Sequence, residues 1–296
     1  MTSKHLIQTD NVQLLAADSY PLSATLYHSP NVKAHLLVAA ATGTPRGFYR
    51  RFAEYAAVQG FNTLTLDYRG IGESRPDDMR ALDMHFMDWA TKDLAAATDY
   101  LHTPDRPLFM VGHSYGGHVL GLMPDNHRIA GLYTFGTGAG WHGWMPGLER
   151  YRVALLWKVI APLITRRKGY LAWKRLGMGE DLPMGAYTYW KRWCSFPRYF
   201  FDDPELPHLA EQFARVRTPI TAACSLDDLW APPKSRDVFM AGYSNAPYQA
   251  RTIDSQAEGL GAIGHMGYFR SHAQPLWDEA LSWFDQLASQ NRSGNT

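Results

Sequence analysis

Cysteine is nearly absent from this chain: its 296 residues include only Cys194 and Cys224. They lie far apart and form no CxxC pair, which argues against a disulfide framework and a cysteine-based zinc site. The histidines show no HExxH or similar spacing, so no metal and no cofactor are expected. Charge of one sign is missing too, since 29 basic and 28 acidic residues leave a net +1. That balance gives no general electrostatic case for a nucleic-acid partner. Long hydrophobic runs are also lacking. The stretches 35–41 and 153–164, the second broken by Lys158 and Pro162, fall well short of the ~18 residues of a membrane span. The first ten residues carry Lys4, His5 and Asp10 and have neither the apolar core of a secretory signal nor a twin-arginine pattern. A soluble, cytoplasmic protein is therefore the expectation.

What is present is an ordinary globular composition, 46% hydrophobic and 19% charged. A chain of about 300 residues buries about 75% of its unfolded surface and needs no covalent staple. Period-two patterns predict antiparallel opening strands at 12–17 and 22–28. Short apolar runs then alternate with helical patterns: strands at 35–41, 62–67, 107–112 and 128–135, helices at 49–59 and 86–101. Continuous apolar strands interleaved with helices predict a mostly parallel sheet with both faces covered. The alternation stops between 138 and 205. Six of the ten tryptophans fall there, with eleven basic against six acidic residues, and helical spacing recurs at 151–164 and 185–193. It resumes with strands at 219–224 and 248–253 and helices at 235–242 and 276–288. The expected organisation is a core domain formed by 1–137 and 206–290, an inserted helical cap at 138–205, and a flexible tail at 291–296.

The sharpest local signal is Phe109-Met110-Val111-Gly112-His113-Ser114-Tyr115-Gly116-Gly117, an apolar strand running into Gly-x-Ser-x-Gly. Such a tight strand-to-helix turn strains the central residue and lifts its hydroxyl above the sheet edge, while small neighbours avoid clashes. The amides that follow point toward a developing oxyanion. Here the chain resembles the α/β-hydrolase superfamily, in its serine-hydrolase (esterase- and lipase-like) branch. Asp67-Tyr68-Arg69-Gly70-Ile71-Gly72-Glu73-Ser74 is similar to the Asp-x-Arg-Gly-x-Gly-x-Ser turn of that superfamily. Thr42-Gly43 and Tyr189-Trp190-Lys191-Arg192-Trp193-Cys194 are similar to a group of bacterial predicted hydrolases, which implies a fold and no particular substrate. The resemblance implies an α/β-hydrolase fold over nearly the whole chain except the cap.

A serine needs an imidazole to take its proton and a carboxylate to orient that imidazole, and in this superfamily they follow in the order Ser, Asp or Glu, His. The candidate base is His265, flanked by Gly264 and Gly267 after the last strand. His113 and His118 flank the nucleophile and are expected to pack or line the site. For the acid, the resemblance implies a strand-end Asp followed four residues later by Pro. Asp228 fits that count to Pro232 and Asp227 misses it by one, so Asp228 is preferred and Asp227 is the alternative, with a turn-stabilising role otherwise. The oxyanion donors expected are the N–H of Tyr115 and, by resemblance, that of Thr44, in a loop where relatives often carry His-Gly and this chain has Thr42-Gly43. Trp141, Trp144, Trp157, Tyr187, Trp190 and Trp193 are expected mainly to form the cap's own core.

These residues imply a serine hydrolase acting on a small-molecule acyl substrate: a carboxylic ester, thioester or amide. Two other readings stay open, an acyltransferase using the same triad and a non-catalytic binding protein of the same fold. Oligomeric state is open as well.

Overall fold

The computed structural model describes residues 7–293. The first half runs β1 (Thr9–Leu15), β2 (Pro21–Tyr27), β3 (Ala34–Ala39), α1 (Arg50–Val58), β4 (Phe61–Leu66), α2 (Ala95–Leu101), β5 (Leu108–His113) and β6 (Ile129–Phe135). The chain then leaves the sheet through α3 (Glu149–Leu155), α4 (Ala161–Lys168), α5 (Met184–Trp193) and α6 (Leu209–Ala214). It returns as β7 (Ile220–Ser225), α7 (Pro233–Met240), β8 (Tyr248–Ile253) and α8 (Gln274–Ser293). The last helix thus continues past residue 290, where a tail was expected; residues 294–296 lie outside those described.

The strands form one eight-stranded sheet in the order β1-β2-β4-β3-β5-β6-β7-β8. Only the β1–β2 and β2–β4 pairs are antiparallel. This is the mostly parallel α/β-hydrolase sheet. β3, β5 and β7 are buried at every position, which is why they read as unbroken apolar runs. α8 buries Trp277, Ala280, Leu281, Phe284 and Ala288, a stripe at helical spacing. Phe284 stacks on Phe109 of β5 at 4.6 Å, and Trp277 meets Phe52 of α1 edge-on at 5.7 Å. The first and last helices therefore pack together beneath the strands that carry the site.

The excursion between β6 and β7 has its own aromatic core. Trp157, Trp173 and Trp190 lie mutually within 4.8–6.1 Å, and Trp193 is fully buried. α5 is seated closely on the sheet domain, because a Cβ on Gly185 would strike the carbonyl oxygen of Met84.

Candidate active site

Ser114 sits where β5 breaks into a short 3-10 turn, Ser114–Gly117, with a left-handed φ of +51°. The glycines around it are required by contact. A Cβ on Gly112 would meet the Gly116 carbonyl, one on Gly116 the Ala39 carbonyl of β3, and one on Gly117 the Thr137 hydroxyl. The turn is held further by the Thr137 hydroxyl, which donates to the Ser114 carbonyl at 2.9 Å. The turn is too short to build a large macrodipole, so any anion stabilisation here falls to individual amides.

His265 lies in the loop between β8 and α8, and its Nε2 is 3.0 Å from Ser114 Oγ. Its Nδ1 lies 3.0 and 2.9 Å from the two carboxylate oxygens of Asp228. A carboxylate only accepts, so Nδ1 carries the proton and Nε2 is left to accept from the serine O–H. Asp228 is fully buried and also accepts the N–H groups of Trp230 and Ala231 and the Tyr268 hydroxyl at 2.9–3.0 Å. Burial pushes its carboxyl up, but the charge of the neighbouring imidazole and these donors outweigh that, and it sits below its ordinary value. Asp227 points elsewhere. It accepts the N–H groups of Ile263 and Gly264 at 2.9 and 3.0 Å and so braces the loop that presents His265. It also accepts locally from the Ser225 hydroxyl, so the bracing across 36 residues adds to the local turn-stabilising role expected from sequence.

His113 and His118 are both buried. His113 Nε2 lies 2.9 Å from the His265 carbonyl and Nδ1 lies 3.0 Å from the Tyr49 hydroxyl. Because a carbonyl only accepts, Nε2 is the protonated nitrogen and Tyr49 donates to Nδ1. Burial drives His113 down to about 3 and His118 down to about 4, so both stay neutral at physiological pH. His118 instead points its Nε2 at the Gly138 carbonyl, 2.9 Å away.

The Tyr115 N–H has no acceptor among the described residues. Thr44, expected as the second oxyanion donor, is different. Its N–H donates to the Ala41 carbonyl at 3.1 Å, closing a turn, and is not free. The loop amides without an acceptor among the described residues are those of Thr42 and Gly43. Both residues line the cavity that contains Ser114.

That cavity holds about 480 Å³, with Trp173, Met178, Trp190 and Trp230 among its walls. Of the aromatic residues singled out in the sequence, Trp190 reaches it. Trp173 and Trp230 were not singled out, although Trp230 follows Asp228 by two residues and stacks beside His265 at 6.1 Å. Apart from His265 the only ionisable group on the walls is Arg270; there is no carboxylate. A second chamber of about 30 Å³, lined by His118, Cys194 and Tyr199, adjoins Ser114 on its inner side. Among the described residues, no cluster of His, Cys, Asp and Glu could hold a metal ion, and no helix is long and apolar enough to cross a membrane.

Comparison with known proteins agrees with this architecture. A sequence model described as serine aminopeptidase, S33, matches residues 30–169. No curated protein matches the chain in sequence. Among solved structures, a soluble variant of monoglyceride lipase from Saccharomyces cerevisiae in complex with a substrate analog superposes with a TM-score of 0.66 at 15% identity, covering 95% of each chain. A thermophilic esterase from Thermogutta terrifontis gives 0.58 at 16%, covering 94% of this chain and 99% of its own. An esterase from Pyrococcus furiosus gives 0.58 at 13%, covering 95% and 93%. At such identities the likeness to these structures is one of fold. Sheet order and nucleophile turn give the chain the α/β-hydrolase fold, and the matched sequence model, over residues 30–169, agrees with it.

Proposed function

We propose that the chain is a serine hydrolase that cleaves a carboxylic ester through an acyl-enzyme, with residues 138–205 as a cap over the site. The observation that carries this reading is the Ser114–His265–Asp228 relay, with contacts of 3.0 and 2.9 Å at the wall of an apolar cavity. His265 Nε2 takes the Ser114 proton as Oγ attacks the acyl carbon, and Asp228 steadies the imidazolium. The oxyanion is held by the Tyr115 N–H together with the free amides of Thr42 and Gly43. His265 then returns the proton to the leaving alcohol. Water, deprotonated by the same imidazole, attacks the acyl-enzyme and releases the acid and Ser114.

The sequence model's description would favour cleavage beside a free α-amino group. An ammonium entering this cavity would find no carboxylate among the lining residues and would meet Arg270 instead, so burying it would be unfavourable. The tryptophan-walled cavity suits a neutral acyl or alkyl group better.

Labelling with a fluorophosphonate and mapping the modified peptide tests the reading. The expected result is a single adduct on Ser114, with turnover of neutral esters exceeding that of aminoacyl amides. No adduct on Ser114 overturns it, and product carried to an added alcohol or thiol with water excluded would assign acyl transfer.

A further inference from the structure

The helical run from α3 to α4, joined by a π turn at Leu156–Ile160, is apolar on two opposite sides. Val153, Leu156, Trp157 and Ala161 face inward and are buried. Leu148, Tyr151, Leu155, Val159 and Leu163 are exposed, Leu148 by 78% and Leu163 by 61%. Their spacing of three or four residues puts them in one outward stripe, and the wider π turn suits the four-residue steps from 155 to 163. A helix that is apolar all round is normally covered on all sides, and a contiguous exposed apolar stripe marks a contact surface.

The charges on this run identify what covers it. It carries six cations and one acid, Glu149. Glu149 is already engaged, accepting from Trp230 Nε1 at 3.1 Å and pairing with Arg152. Arg150, Lys158, Arg166, Arg167 and Lys168 have no carboxylate within ion-pair distance among the described residues, whereas Arg46, Arg69, Arg192 and Arg251 elsewhere are each paired. A two-fold contact with a second copy would set this cationic helix against itself. An apolar stripe flanked by unpaired cations is instead complementary to the headgroup region of an anionic bilayer.

The stripe also leads to the site. A groove of about 270 Å³ runs beside Leu155 and Ile160 and shares Met178 and Trp230 with the Ser114 cavity. Leu229 and Met266, neighbours of Asp228 and His265, are exposed as well. We infer that the α3–α4 face docks the chain on an anionic phospholipid surface, with the mouth of the Ser114 cavity toward the lipid. That the acyl substrate is drawn from the bilayer follows only if the hydrolase reading holds; the docking itself does not depend on it.

Flotation of the full chain with vesicles, read without turnover, tests the inference. Binding to vesicles of equal parts phosphatidylcholine and phosphatidylglycerol should be at least about tenfold tighter than to phosphatidylcholine alone, and should weaken as salt is raised. The double variant Val159→Asp/Leu163→Asp should lose this binding while keeping its far-UV spectrum, melting temperature and cleavage of a water-soluble short-chain ester. Arg166→Glu/Arg167→Glu should lose the preference for the anionic lipid. Absence of binding to either vesicle, or undiminished binding by the Asp double variant, overturns the inference. So does a dimer in light scattering that the same double variant dissolves, which would assign the face to a second copy. Vesicle binding without ester cleavage would leave the docking standing and remove the hydrolase reading alone.

Discussion

The buried imidazole of His113 lies 2.9 Å from the backbone carbonyl of His265, so the residue before the nucleophile holds the loop of the base. Its other nitrogen accepts from Tyr49, whose oxygen in turn receives the Ala41 N–H at 2.8 Å. One line of hydrogen bonds therefore joins the Ala41–Thr44 loop, the nucleophile turn and the His265 loop. Misplacing a reacting group by about 1 Å can cost on the order of 10²-fold in rate. His113→Phe should accordingly lower kcat by roughly 10- to 100-fold with KM little changed, and His113→Gln, which retains an N–H donor, should recover part of the loss. Steady-state kinetics on both variants checks this; a change confined to KM would deny His113 a positioning role.

Ser114→Ala should lower kcat by something on the order of 10⁶-fold and abolish labelling, as removal of one member of such a relay does. The same position carries strain. A non-glycine residue in the left-handed region costs roughly 1–2 kcal/mol, and Ser114 is there at +51°. Ser114→Gly should thus unfold at a higher temperature than Ser114→Ala, both being inactive. Equal melting temperatures would mean that the turn stores no strain.

The nucleophile turn was legible because its demands are local. The small residues of Gly112-His113-Ser114-Tyr115-Gly116-Gly117 answer contacts made within the turn, with the adjacent strand β3, and with Thr137 just past the end of the adjacent strand β6. His265 and Asp228 could be picked out by order and count, and hydrogen bonds link His265 to Ser114 and Asp228 to His265. What could not be read depends on distant pairing. Asp227 acts on amides 36 and 37 residues away, and His113 on a carbonyl 152 residues away. The bond from the Thr44 N–H to the Ala41 carbonyl depends on the shape of the loop, which a Thr-Gly pair in place of His-Gly does not announce. The π turns in the helical runs left no periodicity signal distinct from an ordinary helix.

The adjacent carboxylates should separate in experiment. Asp228→Asn alters the tautomer that His265 presents, a change worth about 10⁴-fold in kcat in comparable relays. Asp227→Asn leaves that contact intact and weakens the bracing of Ile263 and Gly264 and the hydrogen bond accepted from the Ser225 hydroxyl. Its effect should be on the order of tenfold, accompanied by faster exchange of those two amides. Loss of equal size in both variants would mean that the loop, more than the tautomer, limits turnover.

Stability should fall on mild acidification, and the sign follows from the buried imidazoles. In the unfolded chain His113 and His118 take up protons near 6.5, but in the folded chain only near 3 and 4. Between about pH 6 and 4.5 the unfolded state binds protons that the folded state refuses, so each group contributes a stability loss of up to about 1.4 kcal/mol per pH unit as pH drops. Asp93 acts in the opposite direction. Burial raises it to about 6 against the pull of Arg69, so its folded form gains a proton before its unfolded form does. The variant that isolates one imidazole is His118→Asn, since His118 makes no hydrogen bond to the Ser114–His265–Asp228 relay and bonds the Gly138 carbonyl instead. Denaturant melts at several pH values should give a lower stability overall and a slope shallower than the parent's by about 1.4 kcal/mol per pH unit in that window. An unchanged slope would mean that His118 accepts its proton in the folded chain, against the burial that holds it neutral.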